Sequence, residues 1–172
     1  AGFNAVAIAL KDYEGQVFVR YVPLSMKTGA FVNAIPDLPA TVRDFKDAGI
    51  YTIARIAIFK DDHLARARPD LAVHFPDGRI WANDKGTAWV DPYKTEVWDY
   101  AIDIASRAAL AGFDEIQYDY IRFPSDGKTR QCRYSRKDHS PATAAESLRE
   151  FLTLARERFE IIGLRRAVVD FG

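Results

Sequence analysis

With 172 residues, 48% of them hydrophobic and 28% charged, the chain has the composition of one globular domain with a sizeable core. Lys and Arg balance Asp and Glu at 24 each, so no net field draws the chain to nucleic acid or to an anionic membrane. The single Cys132 excludes an internal disulfide framework, and no run approaches the ~20 apolar residues of a membrane helix.

In chain order, "AGFNAVAIAL" is β-rich after Gly2 and predicts a strand whose tip carries Lys11 and Asp12. Leu38, Val42 and Phe45 then line one face of a helix that closes at Gly49. "AGIYTIARIAIF" predicts the next strand, with Lys60, Asp61 and Asp62 at its tip. Arg55 is a charge inside that apolar run, and it either pairs with an interior carboxylate or snorkels outward.

The segment 60–93 is longer than a connection needs. Within it "HFPDGRIW" predicts a small hairpin around Asp77-Gly78. Trp81, Trp89 and Tyr93 fall in this segment and Trp98 just beyond it. Aromatic faces of this kind suit either the C–H faces of sugar rings or a packed lid, and Trp98, on a helix, suits structure best. Val97, Ala101, Ile104 and Ala108 mark a helix ending at Gly112, with Asp91-Pro92 expected at its start. "AGFDEIQYDYIRF" is the third strand, and "PSDGKTRQCRYSRKDHSP" after it is a basic loop that either is solvated or binds anionic groups. Ser140-Pro141 opens a last helix through Leu148, Leu152, Ala155 and Phe159, closed by Gly163, before "IGLRRAVVDFG".

Four segments thus share a glycine, an apolar residue and a β-rich run, and this alternation predicts a parallel α/β sheet. A start at a helix–strand junction and an end on a strand tip suggest one domain, residues 1–172, cut from a longer array. The expected fold class is a partial (β/α)8 TIM barrel: about four parallel strands with intervening helices, the remaining strands lying outside this chain.

In such folds the chemistry gathers at the C-terminal ends of the strands. Asp119 and Asp170 each lie seven residues after a repeat glycine, where the first two repeats have Ala9 and Ile56. Two carboxylates facing one cleft are what glycosidic hydrolysis uses, one as acid and one as nucleophile or base. Asp170 serves equally as a strand-end cap. Gln117 shares the strand face of Asp119, and Arg122 is expected to place a positive charge beside that carboxylate. Lys11, Asp12, Arg55, Asp61, Trp81 and Trp89 complete the candidate substrate contacts. No phosphate-cradling glycine loop or nucleophile-elbow serine is present, and His63, His74 and His139 lack metal-ligand spacing. No cofactor or metal is therefore expected.

"TIARIAIFKD", "RPDLAV", "KGTAWVDPYKTEVWDYAIDIA" and above all "GFDEIQYDYIRFPSDG" resemble, in that order, the bacterial glycoside hydrolase domain family first catalogued as a domain of unknown function. That family is related to the α-amylase and α-galactosidase type of barrel glycosidases. The resemblance covers essentially the whole chain and implies a (β/α)8 barrel in which the present strands are the second to fifth. It also implies a poly- or oligosaccharide substrate, Asp119 as nucleophile and Asp170 as candidate acid/base. An extracytoplasmic or cell-envelope location fits that substrate. The alternative is a barrel that binds a cell-envelope glycan without cleaving it.

Overall fold

Neighbouring residues along the strands differ sharply in exposure, and that difference organises the molecule. The structure, a computed structural model, describes residues 2–161 and 167–169, with side chains through Phe159. Strands β1 (Ala5–Lys11), β2 (Tyr51–Ala57), β3 (Glu115–Asp119) and β4 (Ala167–Val169) form a sheet in the order β1-β2-β3-β4. Every neighbouring pair is parallel. The glycine-led repeat therefore reads the strand positions correctly. The register aligns Ala9 with Arg55, Arg55 with Gln117, and Ala57 with Asp119.

One face of this sheet is covered by helices. Thr52, Ala54, Ile56, Ile116 and Tyr118 are buried there. The four apolar ones belong to one core with Val42 of α2 (Leu38–Asp47), with Val97, Ala101, Ile104 and Ala108 of α4 (Thr95–Ala111), and with Phe151, Ala155 and Phe159 of α5 (Pro141–Ile161). Helix α4 packs across β1, β2 and β3, and the Tyr118 and Phe151 ring centroids lie 5.5 Å apart. Each of the larger apolar side chains contributes about 1.5–3 kcal/mol by leaving water.

The opposite face is different. On it Ala5, Ala7, Ala9 and Arg55 are exposed, and Tyr51, Ile53, Glu115 and Gln117 are half-buried. A parallel sheet is normally covered on both faces.

The helix ends follow local chemistry. Asp37 caps α2 by accepting the Ala40 N–H at 3.0 Å, and Gly112 closes α4 in the left-handed conformation, φ 96°. Pro141 starts α5 as expected. Asp91-Pro92 does not start α4, which begins at Thr95 after Lys94. The Asp91 carboxylate instead accepts the Tyr93 N–H at 3.0 Å and the Ser135 N–H at 2.6 Å, so it joins two loops.

Two short helices, α1 (Pro23–Thr28) and α3 (Asp62–Ala67), lie in connections where the periodicity signals no helix. The hairpin at Asp77-Gly78 is present: His74 pairs with Ile80, and Gly78 takes φ 87°. No described helix is long and apolar enough to cross a membrane.

Candidate active site

The C-terminal ends of β1, β2 and β3 carry the charged residues, and the structure sorts them into two groups. Lys11 and Asp61 are 2% and 0% exposed and face each other, with Nζ 2.9 Å from Oδ2. Lys11 also donates to the Ala57 carbonyl at 2.6 Å, and Asp61 Oδ1 accepts the Leu64 N–H at 2.7 Å to cap α3. Expected as substrate contacts, these two instead form an ion pair sealed inside the protein. Buried charges persist only when paired and hydrogen-bonded, which both are. The charge of Asp61, after burial itself, helps push the Tyr100 hydroxyl far above the ordinary tyrosine range.

Gly15 closes over the pair. A Cβ there would stand 2.1 Å from Asp61 Oδ1, and φ is 101°. Asp12, half-buried, has a structural role of its own. Its Oδ1 accepts the N–H groups of Glu14, Gly15 and Gln16 at 3.0, 2.9 and 2.9 Å, which folds the turn after β1.

The second group surrounds Asp119, which is 4% exposed. Its Oδ1 accepts the Tyr120 N–H at 2.8 Å, and its Oδ2 is ion-paired with Arg55. Arg55 is the charge inside the β2 run, and it takes the first of its two expected roles. Its side chain remains 47% exposed. Gln117 lies in register with Arg55 on this same face.

Arg122 does not reach Asp119. It hydrogen-bonds Ser125 and lies 5.3 Å from the Trp89 ring and 5.6 Å from the Tyr120 ring. The cause is local: β3 ends at Asp119, and Tyr120 takes φ 55°, so the two-residue alternation stops before Arg122. A non-glycine residue held there costs about 1–2 kcal/mol.

Trp81 and Trp89 are both fully buried and offer no face to a sugar. Trp81 donates to the Lys128 carbonyl at 3.2 Å, and Trp89 meets Tyr120 nearly edge-on. They are the core of the long segment, whose backbone pairs back onto the β2 tip through Lys60 and Trp89.

The accessible aromatic wall is made by residues outside the expected set. Tyr13, 44% exposed, and Tyr120 flank Lys60, whose Nζ lies 4.7 and 5.1 Å from their ring centroids. A signal for Tyr13 and Lys60 exists in the sequence, since each follows a strand tip within a few residues.

Asp170 lies outside the described residues. Val169, the residue before it, pairs with Tyr118, the residue before Asp119. Among the described residues no group of three or more His, Cys, Asp or Glu side chains could hold a metal ion.

A parallel α/β sheet with the Asp119–Arg55 pair, Lys60 and the Tyr13–Tyr120 rings at its carboxyl ends has the layout of an α/β domain that works at its strand tips. The chain belongs to the family described as "Putative glycosyl hydrolase domain", whose model matches residues 1–172.

Among solved structures it is similar to a hypothetical protein from Ruminiclostridium thermocellum ATCC 27405, at 32% identity and TM-score 0.84, covering 99% of this chain and 84% of that one. Alpha-L-fucosidase isoenzyme 2 from Paenibacillus thiaminolyticus shares the fold at 15% identity and TM-score 0.69, over 97% of this chain and 27% of that one. An alpha-galactosidase from Thermus thermophilus does so at 16% identity and TM-score 0.57, over 98% and 38%. The chain thus spans well under half the length of these two glycosidases. No curated protein matches the chain.

Proposed function

We propose that the chain is the catalytic part of a (β/α)8-barrel glycoside hydrolase acting on a poly- or oligosaccharide, with Asp119 as its nucleophile. The observation that carries this is the setting of Asp119. It is the carboxylate at the end of the third strand, on the sheet face not covered by helices, held by one backbone N–H and one arginine. An ionised carboxylate has about four acceptor positions; the described residues occupy two of them and leave the other lone pairs for attack on an anomeric carbon. The half-exposed Arg55 would shift aside as Oδ2 engages the sugar, while the Tyr120 N–H keeps Oδ1 aligned.

The leaving oxygen needs an acid, and Asp170 is the proposed one; it follows Val169 in the chain, whose partner Tyr118 precedes Asp119. A carboxyl separation of roughly 5 Å would give retention and one of about 6.5–9.5 Å inversion. Gln117 and Lys60, with Tyr13 and Tyr120 as the aromatic wall, are the proposed sugar contacts. The barrel reading is supported by the uncovered face: alanines at 5, 7 and 9 leave room for strands supplied from outside this chain.

A second reading rests on the same burial. A carboxylate 4% exposed beneath an arginine also suits a barrel that binds a cell-envelope glycan without cleaving it. One experiment separates them. In the full-length protein, Asp119→Asn is expected to lower kcat on a cleavable glycan by about 10³ or more at unchanged Tm, and Asp119→Ala to regain turnover with azide. Undiminished hydrolysis by Asp119→Asn would remove Asp119 from the mechanism. Glycan binding with no turnover in the wild type would favour the binding barrel.

A further inference from the structure

The loop after β3 carries more charge than the proposed mechanism uses. Residues 122–139 hold six Lys and Arg against two Asp, in a chain that is neutral as a whole. The loop is also fixed in place. His74 and Arg133 exchange backbone hydrogen bonds of 3.0 and 2.7 Å, Asn83 donates to Asp126 at 2.6 Å, and Tyr93 meets His139 at 2.8 Å. Phe123, Tyr134 and His139 cluster beside that contact, tilted or edge-on to one another, with ring centroids 4.3–5.2 Å apart.

Held this way, the loop wraps a hollow of about 640 Å³ that begins at Pro124, five residues along the chain from Asp119. Arg130, Arg133, Arg136 and Lys137 line it. Arg136 is neutralised by Asp138 at 2.9 Å and Glu146 at 3.0 Å. Arg130, Arg133 and Lys137 are exposed, and among the described residues no carboxylate forms an ion pair with them. Arg133 is oriented by its donations to the Arg130 and Cys132 carbonyls at 3.2 and 3.0 Å. Cys132 adds no opposing charge, since burial pushes its thiol up to about 11.

We propose that this hollow binds the negative groups of an anionic glycan, either sugar carboxylates or sulfate esters, so that the substrate class of the hydrolase proposed above is acidic. Three cations without a carboxylate partner among the described residues, lining one concavity, match such groups through charge-assisted hydrogen bonds. A nucleic acid fits less well, because the excess charge is confined to one loop and does not form a track along the surface.

This proposal rests on the glycan reading, and its test reads binding apart from turnover. Calorimetric titration of the full-length protein would compare hexagalacturonate with its methyl ester, and a sulfated hexasaccharide with its unsulfated parent. At low salt the charged member of at least one pair should bind about tenfold tighter than its neutral partner, one charge-assisted contact being worth at least that factor. Which pair shows the preference identifies carboxylate or sulfate. The preference should shrink at high salt and fall severalfold in Arg130→Gln/Lys137→Gln, two exposed changes that leave the fold intact.

Equal binding within both pairs, no binding of any probe, or tighter binding of an oligonucleotide of matched charge overturns it. Hydrolysis of neutral glycans without a charge preference would keep the hydrolase and discard the acidic substrate. Selective binding with no turnover would do the reverse.

Discussion

Lys11 and Asp61 show what a charge at a strand tip can be for. Removing one member leaves its partner as an unpaired charge in the interior, so Lys11→Met is expected to cost about 3–5 kcal/mol in chemical denaturation. Replacing both, as Lys11→Met with Asp61→Leu, should cost less than the two single changes together, because no orphan charge remains. Part of the penalty persists in the double variant, since Asp61 also caps α3. If the single and double changes are simply additive, the two side chains do not act as a pair. Asp119 has the opposite character: its arginine partner is half-exposed, which is why it and not Asp61 is the reactive candidate.

Between elements, Asp114 is the residue that ties most together. It accepts the Thr52 N–H and hydroxyl, both at 2.9 Å, and pairs with Lys46 at 2.9 Å, which joins the end of α2 to the starts of β2 and β3. Burial alone would raise its carboxyl, but the Lys46 and Thr52 hydrogen bonds outweigh that and hold it below the usual range. The unfolded value is about 3.9. Because the folded value is lower, this stabilisation is complete above the unfolded value and is lost as pH falls through the folded one. Asp114→Asn is expected to lower stability at pH 7 by about 1 kcal/mol, a figure reduced for the exposure of Lys46, and to flatten the loss of Tm below pH 4. An unchanged acid limb would show that the β3 start is held by packing alone.

At the scale of the whole molecule, the helix-covered face and the alanine-lined face divide the sheet. The proposed barrel would make the alanine-lined face its interior, and that proposal makes a prediction about a small residue. Ala7→Trp in the full-length protein should cost about 1–3 kcal/mol through overpacking, read as a drop in Tm. A shift within about 0.5 kcal/mol, as for an ordinary surface position, would mean that no further strands close over this face.

Unlike the short helices α1 and α3, the alternation of the four strands with the three longer helices, the four strand positions, the caps at Gly112 and Pro141, and the family itself were all determined by sequence. They depend on periodicity and on residues a few positions apart, and local physics acts at that range. The partners of the charges were decided only by tertiary structure. Arg55 and Arg122 are both cations near apolar strand residues, and nothing local distinguishes them. The register that sets β2 beside β3 and the left-handed turn at Tyr120 give Asp119 to the first and withhold it from the second. Trp81 and Trp89 read equally as sugar platform or core until the long segment folds back on itself. Lys11 and Asp61 are fifty residues apart, and their burial together comes from packing that no window of sequence contains.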